Sequence, residues 1–175
     1  MVDEAKRVSP ATERAAADLA ARGIPLILAT ARTPTWVAAL EPLVRSARVA
    51  VCCGGAAGWS PTTGEMLWRD VIPPNGVQRI ARFAAQHVPD EGIAAYDGER
   101  WRVTQAFATH GPTRFGPVEI VAAERIAEHP VCAMSVCHPD GSWGKLLRAL
   151  VADVRPALTM EVSAGDLVDI APSGT

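Results

Sequence analysis

Two short stretches carry groups suited to holding an anion. In Thr30-Ala31-Arg32-Thr33 a hydroxyl precedes a guanidinium by two residues, directly after an apolar run over residues 24–29 and just before Pro34. If that run is a strand and Pro34 opens a helix, Thr30 stands at the strand tip and Arg32 at the helix start. Such a pairing suits a phosphoryl group, because the hydroxyl donates one hydrogen bond and the helix terminus adds charge complementarity. In Gly54-Gly55-Ala56-Ala57-Gly58, small residues after a second apolar run allow a tight turn or a close backbone approach to a ligand. The residues alone leave a second reading open, in which Thr30 helps cap the following helix and Arg32 is solvated.

Other groupings are less specific. His129, Cys132, Cys137 and His138 include the donor types that zinc prefers. Cys132 and Cys137, however, stand an odd number of residues apart in a predicted strand and face opposite sides, so buried thiols and surface imidazoles are expected. The glycine-rich stretch is not followed by Gly-Lys-Ser/Thr and completes no G-x-G-x-x-G, so nucleotide binding is not expected. Tyr96, Arg100, Trp101 and Arg102 fit an amphipathic strand with snorkelling arginines.

The elements that position these groups belong to a chain of 175 residues, enough for one ordinary domain or two small ones with a buried core. With 49% hydrophobic and 21% charged residues and a formal net charge of -2, it is neither a disordered polyelectrolyte nor a basic nucleic-acid binder. No apolar run approaches the ~18 residues of a membrane span. The opening MVDEAKRVSP lacks the basic-then-apolar layout of a secretory signal, so a cytoplasmic location is expected. Cys52, Cys53, Cys132 and Cys137 do not resemble a disulfide framework, and reduced thiols are expected.

Ser9 as N-cap and Pro10 at the first helical position announce a helix that Gly23 closes. Residues 24–29 read as a strand covered on both faces, with Pro25 confined to its start, which suggests a parallel sheet. Thr33 and Pro34 restart a helix through TWVAALEPLVRSA, with an irregularity before Pro42. Residues 48–53 form a second strand, and residues 59–68 a hairpin around Pro61-Thr62-Thr63-Gly64. Pro73-Pro74 reads as a stiff connector at a domain boundary. Beyond it, a helix over 77–87 with Val77, Ile80, Ala81, Ala84 and Ala85 on one face precedes strands 92–96 and 100–105, which meet at Asp97-Gly98. A helix over 117–128, a strand 131–137, a helix 143–152 and strands 157–163 and 167–170 complete a mixed α+β half.

The opening VDEAKRVSPATERAAADLAARGIPLILATART resembles the haloacid dehalogenase superfamily, in particular its Cof-type phosphatases, where a helix starting near SP leads to a strand ending in ATGR. VAVCCGGAAGW resembles the strand and NGA turn of those proteins, and SPTTGEMLWRDVIPP the hairpin leading into their inserted cap. MEVSAGDLVDIAPSGT resembles the last cap strands before the chain re-enters the core. The resemblance covers essentially the whole chain. Ala31 stands where the family usually has Gly, and Gly54 where it usually has Asn, a departure that bears on one polar contact near the active site.

This resemblance implies an α/β fold: a partial Rossmann-like core over residues 1–72, an inserted α+β cap over 73–172, and the start of a return to the core at 173–175. It implies Mg2+-dependent hydrolysis of small phosphorylated metabolites such as sugar phosphates. The aspartate of a D-x-D-G-T stretch attacks phosphorus to form an aspartyl-phosphate, and the second aspartate serves as acid and base. Thr30 matches the hydroxyl residue that orients the transferring phosphoryl oxygens, Arg32 and the backbone of Gly54 and Gly55 line the entrance, and cap residues discriminate substrates, so that substrate contact is the alternative reading of Tyr96, Arg100, Trp101 and Arg102.

No D-x-D-G-T occurs in the sequence. By this alignment Met1-Val2-Asp3 follows the place for it, and residues 170–175 stop where the family supplies a lysine and metal-binding carboxylates. The expectation is an excerpt that is inactive alone and lacks most ligands for Mg2+. Gly165-Asp166-Leu167-Val168-Asp169 is similar to the family's fourth motif, but its aspartates are three apart rather than four or five, so a strand entered from a Gly-Asp turn is expected. The alternative is a non-catalytic protein that binds a ligand or partner through the cap-like surface. A parallel sheet deprived of its first strand is also expected to expose apolar edges and to self-associate.

Overall fold

The computed structural model describes residues 7–41, 43–87, 92–110, 118–137, 158–163 and 167–173. The chain divides into two compact units, Met1–Arg69 and Asp70–Thr175.

In the first unit, helix α1 (Pro10–Ala21) starts as its residues dictate. The Oγ of extended Ser9 accepts the Thr12 N–H at 3.2 Å, Pro10 sits where a missing N–H is harmless, and Gly23 turns the chain out at φ 70°. Strand β1 (Leu26–Ala29) pairs in parallel with β2 (Ala47–Cys52), the two joined by α2 (Pro34–Ala38) and a 3-10 turn, Leu43–Ser46. The helix expected through TWVAALEPLVRSA therefore stops at Ala38. A proline four residues on has no N–H to offer the Ala38 carbonyl, so the helical ladder lacks its next rung.

Strands β3 (Ala57–Trp59) and β4 (Met66–Arg69) add to β2 in antiparallel fashion, giving the order β1-β2-β3-β4 and the expected hairpin. Register places Leu28, Ala50 and Cys52 on one face, all buried, and Ile27, Val49 and Val51 on the other, where Ile27 is 60% exposed. The expectation that this strand is covered on both faces is thus corrected. Helices α1 and α2 pack against β1 and β2, but among the described residues β1 ends the sheet and its second face is left open to solvent.

In the second unit α3 (Pro74–His87) begins at a proline and buries Val77, Ile80 and Ala84. Ala85, expected on that face, is exposed, because eight residues carry the helix about 80° past Val77. Strands β5 (Gly92–Tyr96) and β6 (Trp101–Val103) form the hairpin that Asp97-Gly98 announces. Asp97 Oδ1 accepts the N–H groups of Glu99 and Arg100, both at 2.9 Å, while Gly98 takes φ 106°. Where that strand was expected to continue to residue 105, α4 (Gln105–His110) begins instead, with Thr104 Oγ1 accepting the Phe107 N–H at 3.3 Å.

The helix expected over 117–128 is replaced by β7 (Val118–Ile120), parallel to β6, and a 3-10 turn, Ala123–Glu128. Glu119 meets Arg102 across that ladder at 3.3 Å, a tertiary partner that local pattern does not reveal. Strands β8 (Ala133–Cys137), β9 (Leu158–Ser163) and β10 (Leu167–Pro172) complete a sheet of order β7-β6-β5-β8-β10-β9. Ile93, Met134, Val136, Val168 and Ile170 lie buried in it. The helix expected over 143–152 lies outside the described residues.

Candidate functional site

Because β1 and β2 are parallel, their carboxyl ends bring residues 30–32 and 53–55 to the same edge of the first unit, the edge at which open α/β sheets gather ligands. Main-chain bonds tie these loops together. The Thr30 N–H donates to the Val51 carbonyl at 2.9 Å, the Cys53 N–H to the Arg32 carbonyl at 2.9 Å, and the Gly54 N–H to the Thr30 carbonyl at 3.3 Å. The tie depends on a left-handed backbone: Cys53, Gly54 and Gly55 have φ of 53°, 65° and 110°. A non-glycine residue in that region costs roughly 1–2 kcal/mol, which burial of the Cys53 side chain and its hydrogen bond to Arg32 offset.

Thr30 Oγ1 accepts the Arg32 N–H at 3.2 Å, so the hydroxyl stabilises the loop locally. Its own proton has no acceptor among the described residues. The Arg32 side chain, on a half-buried residue, forms no ion pair among the described residues. A hydroxyl donor and an uncompensated guanidinium two residues apart can grip an oxyanion. The Gly54 N–H is committed to Thr30, and the Gly55 carbonyl accepts the indole Nε1–H of Trp68 at 3.2 Å, so these glycines shape the loop through their torsions and cross-links. Thr33 takes the N-cap position of α2 as expected, but without a side-chain capping bond, and its buried Oγ1 has no hydrogen-bond partner among the described residues.

The other sequence candidates lie elsewhere. Cys52, Cys53, Cys132 and Cys137 are buried and form no disulfide, and burial pushes the Cys52 thiol up to about 12, which leaves it unreactive. His138, Gly165 and Asp166 lie outside the described residues. Asp169, in β10, accepts the Ser135 hydroxyl at 2.5 Å across the β8 ladder. Tyr96 and Trp101 are buried with ring centroids 5.4 Å apart, and the Tyr96 hydroxyl donates to the Gly98 carbonyl at 2.8 Å. Arg102, in place of a snorkelling arginine, pairs with Asp97 at 2.6 Å and Glu119 at 3.3 Å.

That ion cluster and the Trp68–Gly55 bond were not anticipated from the sequence. The Asp97-Gly98 dipeptide signals the turn, but nothing local signals Glu119 or the indole. Burial alone would raise the Asp97 carboxyl, yet the N–H groups of Arg100 and Glu99 and the Arg102 guanidinium outweigh it and hold the carboxyl below its ordinary range. Magnesium requires several oxygen ligands. No three His, Cys, Asp or Glu side chains converge among the described residues, so these do not fit the ion and no step is derived through it.

Among the described residues no helix is long and apolar enough to cross a membrane. No curated protein matches the chain. Solved structures share its fold at low identity. A haloacid dehalogenase-like hydrolase from Bacteroides thetaiotaomicron is 17% identical with a TM-score of 0.79, covering 99% of this chain and 67% of that one. A protein from Streptococcus mutans is 14% identical with a TM-score of 0.81, covering 99% of this chain and 66% of that one. A sugar phosphatase of haloacid dehalogenase subclass IIB is 16% identical with a TM-score of 0.76, with coverage of 99% and 66%. The chain spans about two thirds of the length of these structures. The family model of haloacid dehalogenase-like hydrolases matches residues 1–175, and the chain belongs to that family.

Proposed function

We propose that this chain supplies the phosphoryl-gripping loops and the substrate-selecting cap of a phosphohydrolase acting on small phosphorylated metabolites such as sugar phosphates. The first unit is the core portion in this reading, and the second is the cap. One observation carries it: in a loop fastened to the next strand's turn, Thr30 stands two residues before Arg32, and among the described residues neither its hydroxyl proton nor the guanidinium has a partner. Family membership supports hydrolysis, and the sugar phosphatase of the same fold motivates the substrate class.

The 175 residues hold no D-x-D-G-T aspartate, so the chain is assigned the grip and the lid and not the attack on phosphorus. The same feature favours a second reading, a non-catalytic protein that binds a phosphorylated ligand or a partner through its cap-like surface. Reading the coding DNA upstream of Met1 separates the two. An in-frame D-x-D-G-T favours the enzyme, and a stop codon with a ribosome site favours the binding protein.

Titration of the chain with inorganic phosphate, followed by NMR, tests the grip. Thr30→Ala removes a hydrogen bond to a charged group and lowers phosphate affinity by about 10-fold or more. Unchanged affinity would refute the role of Thr30. Turnover of p-nitrophenyl phosphate by the 175-residue chain with Mg2+, abolished by Thr30→Ala, would refute the assignment of the attacking group to other residues.

A further inference from the structure

Gly58 and Trp68 face each other across β3 and β4, and the indole lies directly on the glycine. A Cβ at position 58 would stand 2.0 Å from ring carbons Cε3 and Cζ3 of Trp68. Only a residue without a side chain lets the ring lie this low, and from there its Nε1–H donates to the Gly55 carbonyl at 3.2 Å. Core burial does not account for the placement, because Trp68 is 40% exposed on the strand that ends the sheet. What the indole does hold is the turn. Gly55, at φ 110°, follows Cys53 and Gly54, whose N–H groups bind the carbonyls of Arg32 and Thr30.

We propose that Trp68 is a positioning residue for the anion-gripping loop, a role that rests on the function proposed above and deepens it. By fixing the Gly55 peptide, the indole keeps the N–H groups of Cys53 and Gly54 directed at residues 30–32, so that the Thr30 hydroxyl and the Arg32 guanidinium are presented in one arrangement. The indole itself does not touch the anion. Gly58 is the second half of the device, since it provides the space in which the ring rests.

Two substitutions in the full chain dissect this arrangement. Trp68→Phe keeps a ring over Gly58 and removes the donor, while Gly58→Ala keeps the donor and displaces the ring. Amide hydrogen exchange at Cys53 and Gly54 accelerates about 2- to 10-fold in both variants, the factor that one neutral hydrogen bond contributes. Affinity for inorganic phosphate falls by a similar factor, while the thermal midpoint of Trp68→Phe stays close to that of the parent. Unchanged exchange at both amides in Trp68→Phe overturns the positioning role whether or not phosphate binds. A parent chain with no phosphate affinity overturns the grip, and with it the purpose assigned to Trp68. The two failures are distinguishable because exchange reads the turn without any ligand.

Discussion

The main-chain N–H of Cys53 lies 2.9 Å from the carbonyl of Arg32, so a residue in the left-handed region fastens the loop that carries the guanidinium. The strand before it is an ordinary apolar run. The three positive torsions after it accompany N–H groups of Cys53 and Gly54 that reach the carbonyls of Arg32 and Thr30, so the Cys-Gly-Gly tripeptide ties the two loops together.

Gly55→Ala measures how strongly that backbone is required. An added Cβ would meet nothing within 4 Å, so space is not the obstacle, and the positive φ of 110° is. The substitution destabilises the first unit by roughly 1–2 kcal/mol. Thermal unfolding checks this, and a midpoint equal to the parent's would mean that the turn adopts another torsion at no cost.

Acid should act on the hairpin of the second unit through Asp97. Its side chain and that of Arg102 are each 16% exposed, so the pair is shielded from solvent. The carboxyl is held below its ordinary range in the folded chain, so its contribution is complete above the unfolded value of ~3.9 and is lost as the pH falls through the folded value. Asp97→Asn therefore costs about 1–2 kcal/mol at neutral pH, and the gap to the parent closes in acid below ~3.9. Denaturant unfolding at several pH values reads both parts. A gap that is constant down to strong acid would remove the charge from the explanation.

The uncovered face of β1 predicts association between chains. Ile27 is 60% exposed, Ile24 is 48% exposed, and β1 has no further strand partner among the described residues. Sedimentation should find the parent chain self-associating in a concentration-dependent way and Ile27→Lys shifted toward monomer, since a charge on an open edge opposes pairing. A strictly monomeric parent would contradict this.

Much of the fold is legible where local chemistry and tertiary packing agree. Ser9 and Pro10 mark the start of α1, Asp97-Gly98 marks its hairpin, and the two apolar runs become the parallel strands whose tips hold the candidate residues. The misreadings arise where a distant partner decides. Val118-Glu119-Ile120 looks like the beginning of a helix until Arg102 engages Glu119 from the neighbouring strand. Thr104 looks like strand until its hydroxyl caps α4, although a threonine three residues before Phe107 was a usable signal. The placement of Thr30 and Arg32 just beyond a strand tip is readable in the sequence, but the cross-links among Cys53, Gly54, Gly55 and Trp68 are not, because they depend on positive torsions and a contact spanning the hairpin.

The four sequestered thiols give the molecule a built-in clock. Cys52 and Cys53 belong to one unit and Cys132 and Cys137 to the other, and none is accessible in the native state. An alkylating reagent can modify them only during transient openings, so mass-resolved labelling at each pair times the breathing of each unit separately.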